Sequence, residues 1–197
     1  MALFTEQQIR ARFESEKRQR ISRGYRYFSA TEALNEGRIT DSINLYDIFL
    51  SHSSKDKELI AGLKLILEDF GYSVYVDWND DALDPNNVTP ETAAVLRERM
   101  KQCKSLVYAF SENASNSKWM PWELGYFDAL KNSRVAVLPI SQTAKYAYKG
   151  SEFVGIYYVV QIDQVLNSNE KALWIHKGED YVNFKFWLNE NKEPYRH

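Results

Sequence analysis

Leu45-Tyr46-Asp47-Ile48-Phe49-Leu50-Ser51, followed by Leu59, Ile60, Leu63, Ile66, Leu67 and Phe70 on one helical face, decides the architecture of this chain. The first stretch is a short apolar run suited to a buried strand, and the second has the spacing of an amphipathic helix. Ser53 and Ser54 stand where an N-cap belongs, with Asp56 in the first turn, and Gly71 is placed to end the helix. The alternation continues downstream. Ser73–Trp78 reads as a second strand, and Asn79–Val88 as an acidic loop with Asp80, Asp81, Asp84 and Pro85. Thr89-Pro90-Glu91 opens a helix with a cap, an early proline and an early carboxylate, its inward stripe being Ala93, Leu96, Met100 and Cys103. Ser105–Phe110 and Arg134–Ile140 are the third and fourth strands, with a helix from Trp119 to Leu130 between them. Phe153–Val160 is a fifth strand, and Glu179–Asn191 a closing helix with Tyr181, Phe184, Trp187 and Leu188 inward. Continuous apolar strands alternating with helices predict an α/β chain with a flavodoxin-like, doubly wound, five-stranded parallel sheet covered on both faces.

Residues 1–44 differ in character and form an N-terminal helical extension, residues 45–142 the core, and residues 143–197 a C-terminal part with a variable strand and helix. The extension reads as helical from about Thr5 to Ser22, with Phe4, Ile9, Phe13 and Ile21 widely spaced, and Gly37–Asn44 as a connector. Between Arg10 and Arg26 it carries seven basic residues against Glu14 and Glu16. Such a run either meets phosphates or an acidic partner, or is a solvated helix packed by one edge.

Composition narrows the function. The 197 residues carry 25 Lys+Arg against 27 Asp+Glu, a formal charge of −2, which gives no electrostatic case for nucleic acid or an anionic membrane. Cys103 alone excludes a disulfide framework and a multi-cysteine metal site, and three histidines make a zinc enzyme a poor fit. No apolar run reaches the roughly 18 residues of a membrane span, and the N-terminus lacks an export-type apolar segment. The expectation is a cytoplasmic protein without metal.

In this topology ligands sit beyond the C-terminal strand ends, at the switch point between the first and third strands. Function should therefore lie in Ser51–Ser54, in Asn79–Val88 and in whatever follows Phe110. A response-regulator phosphoacceptor is disfavoured because Ala109-Phe110-Ser111 offers no aspartate. A flavin site is disfavoured because Ser51-His52-Ser53-Ser54-Lys55 has no glycine, and no Walker or dinucleotide fingerprint occurs.

Three segments carry a resemblance instead. Tyr46–His52, followed by Ser-x-x-Asp and an amphipathic helix, closely resembles the first box of Toll/interleukin-1 receptor (TIR) domains. Gly71-Tyr72-Ser73-Val74-Tyr75-Val76-Asp77 is similar to that family's second strand, and Ser117-x-Trp119 with Trp122-Glu123-Leu124-Gly125 to its third signature. The likeness runs from about Tyr46 to Ile140, half the chain. The loop departs from the family's Pro-Gly or Gly step, reading Asp84-Pro85-Asn86-Asn87.

The resemblance implies an enzyme that cleaves the nicotinamide–ribose bond of NAD+, with NAD+ as substrate, no cofactor, and Glu123 as the catalytic carboxylate. Trp119 lies four residues before Glu123, on the same helical face, and is expected to wall the ribose–nicotinamide end; its bland alternative is a core aromatic. For Glu123 the alternative is an exposed helix carboxylate or a cap partner in a Ser/Asn-rich turn. His52 is expected as a polar contact to ligand or backbone. Ser53 and Ser54 are helix caps first and phosphate-facing groups second. Asp77 either orients the pocket or ends its strand. Free-standing bacterial proteins of this kind resemble components of antiphage systems such as Thoeris, which implies a cyclic or conjugated ADP-ribose signal, a separate downstream effector and self-association through TIR surfaces. A non-catalytic TIR adaptor and a nucleoside deoxyribosyltransferase-like enzyme are the competing readings.

Overall fold

The computed structural model describes residues 3–36, 45–77, 89–131, 134–143, 152–190 and 192–196. The expected connector Gly37–Asn44 and the acidic loop Asn79–Val88 lie outside them.

Five parallel strands form the centre of one sheet: β2 (Tyr46–Ser51), β3 (Val74–Tyr75), β4 (Cys103–Phe110), β5 (Val135–Ser141) and β6 (Tyr158–Gln164), in the order β3-β2-β4-β5-β6. This is the predicted doubly wound arrangement. The sheet continues antiparallel through β7 (Lys171–Lys177) and β8 (Asp180–Asn183), and β1 (Phe4–Thr5) pairs in parallel with the end of β5, Phe4 opposite Ile140.

Side chains two apart on a strand share a face, and the core divides accordingly. Ile48, Leu50, Val107, Ala109, Ala136 and Leu138 pack under α1 (Glu6–Ser22), α2 (Ala30–Asn35), α3 (Lys57–Asp69) and α6 (Phe184–Glu190). Phe49, Leu106, Tyr108, Val135 and Val137 pack under α4 (Pro90–Lys101) and α5 (Trp119–Leu130). Strands apolar on every residue are what two covered faces require.

The N-terminal segment is seated on the main core. Ile9, Phe13, Phe28 and Leu34 are buried, whereas Ile21 is half exposed. Its basic residues are largely paired with carboxylates. Arg12 forks onto Asp69 through Nε at 2.6 Å and Nη2 at 3.0 Å and also reaches Glu16, while Arg20 joins Glu16 to Glu36. Arg20 and Arg12 hold the Glu16 carboxyl below the usual range. The run that read as a candidate phosphate surface is in large part an ion-pair seam between α1, α2 and α3.

Four expectations are corrected. Cys103 does not belong to the inward stripe of the helix opened by Thr89; that helix ends at Lys101, and Cys103 is the first residue of β4. Ser53 and Ser54 do not cap α3; it begins at Lys57 with Asp56 in the capping position, and the Asp56 carboxylate makes no cap bond because Ser111 and Asn113 occupy it. The fifth strand starts later than Phe153, since Glu152–Ile156 is a 3-10 turn and the strand is Tyr158–Gln164. The closing helix does not start at Glu179. Asp180–Asn183 is a strand that returns against β7, because Gly178 at φ +65° makes the tight turn that folds Tyr181 back onto His176.

Candidate active site

β2 leads through α3 to one side of the sheet and β4 leads through α5 to the other, so the chain diverges beyond Ser51 and Phe110, at the switch point where this topology places its ligand crevice. The chemistry-bearing residues gather there. Phe49 and Ser51 share the sheet face under α5, and Ser51 lies opposite Tyr108 on β4.

From above, α5 presents Met120, Glu123, Leu124 and Phe127 inward, the i, i+3, i+4, i+7 stripe of a helix on a sheet. A carboxylate has taken one place in that apolar stripe. Glu123 is 2% exposed, and Ser51 Oγ donates to its Oε2 at 2.6 Å. Burial, reinforced by the charge of Asp77 and opposed by the Ser51 hydrogen bond, pushes the Glu123 carboxyl up to about 8. At neutral pH the protonated form is therefore favoured before substrate binds.

Asp77 follows β3 at the same end of the sheet, half-buried. His52 Nδ1 stands 3.0 Å from the Leu50 carbonyl and 3.6 Å from Asp77 Oδ1. A carbonyl only accepts, so Nδ1 carries the proton of that hydrogen bond. Ser51, His52, Asp77 and Glu123 thus form one polar group at the crevice floor.

The other predicted residues sit around it. Ser53 is buried and its hydroxyl accepts from the Lys55 backbone N–H at 3.4 Å, so it serves the turn, while Ser54 and Lys55 are exposed beside it. Trp119 is half-buried at the start of α5, edge-on to Trp122 with ring centres 5.4 Å apart. Trp122 in turn stacks on Tyr126 at 5.6 Å and 12°, with the Arg97 guanidinium over both rings. Glu123 is buried rather than an exposed helix carboxylate, and Trp119 packs against the core on the α5 side of the sheet while part of its surface stays open.

Two residues here lie inside the motifs, but their partners escape a reading by motif. Ser51 reads as the last residue of a strand, and its partner is 72 residues away. Asp56 reads as a helix-start acid, yet it accepts from Ser111 Oγ at 2.5 Å and Asn113 Nδ2 at 2.6 Å, joining the two loops. The alternation of faces after Phe49 was the available signal for Ser51; Asp56 is the acid of the Ser-x-x-Asp step, which marks its place but not its partners Ser111 and Asn113. Among the described residues no group of three His, Cys, Asp or Glu is arranged to hold a metal ion, and no helix is long and apolar enough to cross a membrane.

Comparison with known proteins places the chain among relatives of one family. A probable 3' cyclic ADP-D-ribose synthase, ThsB', of Bacillus cereus strain MSX-D12 is 49% identical over 154 residues, 77% of this chain and 79% of that protein. A Cytobacillus dafuensis protein provisionally named cyclic ADP-D-ribose synthase TIR2 is 28% identical over 123 residues, 60% of this chain and 32% of that protein. The TIR domain family matches residues 48–178, from within β2 to just past the end of β7, and the chain belongs to that family.

Proposed function

We propose that this TIR protein consumes NAD+, breaking the bond between nicotinamide and ribose and closing the remaining molecule into a cyclic ADP-ribose signal, in bacterial antiphage defence. The observation that carries the reading is the Glu123 carboxyl, buried at the switch point and hydrogen-bonded to Ser51. The naming of the 49% identical relative as a 3' cyclic ADP-D-ribose synthase supports the cyclic product.

The chemistry asks for one carboxylate. The pyridinium nitrogen of NAD+ is already cationic, so it takes the bonding electron pair and leaves as neutral nicotinamide without a general acid. Positive charge then spreads over the anomeric carbon and ring oxygen, and a carboxylate aimed at that charge stabilises the transition state more than the ground state. Entry of the pyridinium cation favours the ionised form of Glu123, so substrate binding expels the proton that burial had retained. When the acceptor is a hydroxyl, of the same molecule or of water, its oxygen bonds to the anomeric carbon and its proton passes to Glu123 and then to solvent. Trp119 walls the ribose–nicotinamide end, His52 and Asp77 contact the ribose side, and Ser54 with Lys55 meets the pyrophosphate while Ser53 holds their turn. Protomers associate to complete the crevice, and a separate effector reads the product. A non-catalytic adaptor has no use for a carboxylate that burial disfavours at such cost.

The test is mass spectrometry of purified protein with NAD+ across protein concentration and pH. Nicotinamide and a product lighter than ADP-ribose by one water are expected, with specific activity rising with concentration. A Glu123→Gln protein that releases nicotinamide as fast as wild type rejects the assignment.

A further inference from the structure

Ser51 ends β2 on the face that meets α5, two residues after Phe49, and is 1% exposed. Its hydroxyl is the hydrogen-bond partner of Glu123 among the described residues, at the short distance typical of a hydroxyl donating to a carboxylate. The neighbours of Glu123 on its own helix, Met120 and Leu124, are apolar and fully buried, so they confine the side chain without orienting its oxygens. Granted Glu123 as the catalytic carboxylate, we propose that Ser51 is a positioning residue for the reaction: by occupying Oε2 it fixes the carboxylate plane and commits Oε1 to the ribose and to the acceptor's proton.

The hydroxyl also acts on the charge. Among the described residues, the groups that face Glu123 are Ser51 from β2, Tyr108 from β4, and Asp77 after β3 with His52 beside it. Asp77 and burial disfavour the ionised carboxylate, and Tyr108, itself pushed up to about 12 by burial and by Glu123, stays neutral. Ser51 favours ionisation, because a donor to the charged form stabilises it. Its removal therefore moves the Glu123 titration upward.

The experiment compares the full-length wild type with Ser51→Ala, Ser51→Thr and Glu123→Gln. Ser51→Ala is expected to keep a cooperative melt and a KM for NAD+ within about twofold, while kcat falls about tenfold. The acid limb of its kcat/KM profile moves up by about one pH unit, and the Glu123 carboxyl carbon, followed by NMR without substrate, titrates higher by the same amount. Ser51→Thr keeps the wild-type titration. Should Ser51→Ala not fold, Ser51→Thr against the isosteric Ser51→Val reads the hydroxyl alone, with the same shift expected for Val. Hydroxyl-free variants with unmoved titration and wild-type kcat overturn the proposal. If those variants are unchanged while Glu123→Gln is inactive, Ser51 alone is rejected; an active Glu123→Gln rejects the catalytic reading itself.

Discussion

The backbone carbonyl of Ile9 occupies the space in which a side chain on Gly62 would begin: a Cβ there would overlap the Ile9 oxygen and press on its side chain. Helices α1 and α3 approach closely at this point, and glycine is what permits it. Gly62→Ala gains roughly 1 kcal/mol of helix propensity, but the obstacle is backbone and cannot swing aside. Overpacking at about 1–3 kcal/mol wins. Urea titration is expected to show a net loss of stability, and a midpoint at or above wild type would mean that α1 is not seated on α3 as described.

Asp56 ties the loop after β2 to the loop after β4 through Ser111 and Asn113. Asp56→Ala removes both charge-assisted bonds and leaves their donors without the acceptor. The expected loss is about 2–3 kcal/mol in thermal or urea melts, with Asp56→Asn intermediate. Because these loops border the crevice, turnover of NAD+ should fall further than unfolding explains, measured at a temperature where every variant is folded. Undiminished turnover by folded Asp56→Ala would show that the two loops hold their places without it.

How much of this was legible depended on the range of the interaction. The five parallel strands and α5 were readable because continuous apolar runs and a three-to-four-residue stripe are local patterns; Trp119–Leu130 is the predicted helix to the residue. The antiparallel extension was hidden by competing periods. Tyr181, Phe184, Trp187 and Leu188 are spaced as on a helix, yet Tyr181 belongs to a strand, since tertiary pairing with His176 decides there. β1 is two residues long, below any periodic signal. In the site, Glu123 stood out through the family resemblance carried by Ser117-x-Trp119 and Trp122–Gly125, whereas its burial came from sharing a stripe with Met120, Leu124 and Phe127. Ser51–Glu123 and Asp56–Ser111 join residues 72 and 55 apart, and no local pattern encodes such a pair.

Trp119 and Trp122 separate two roles along α5. Trp122 is committed to a stack with Tyr126 under Arg97, while Trp119 touches that stack edge-on and lies one turn before Glu123. Trp119→Ala should therefore lower kcat/KM for NAD+ more than Trp122→Ala. Trp122→Ala should show the larger loss in thermal stability, because it removes two ring contacts and a cation–π contact. The reverse ranking in kcat/KM, on proteins with cooperative melts, would move the substrate wall to Trp122.

Glu123 sets opposite demands on activity and stability, and pH exposes both. Its carboxyl is raised from an ordinary 4.5 to about 8, chiefly by burial. Below the unfolded value both states hold the proton and the folded protein suffers no penalty. Between the two values the unfolded chain releases its proton while the folded chain keeps it, so stability falls as pH rises and levels off above about 8. The span is on the order of a few kcal/mol. Glu123→Gln has no proton to lose, so its melting temperature should exceed that of wild type by a margin that widens across this window. Activity runs the other way. Since kcat/KM reports the free enzyme, its acid limb should rise toward about 8, while kcat, measured with the pyridinium cation in place, should rise at lower pH. A constant stability difference between wild type and Glu123→Gln over that interval would show that the carboxyl titrates normally, and a flat kcat/KM there would remove it from the rate-determining chemistry.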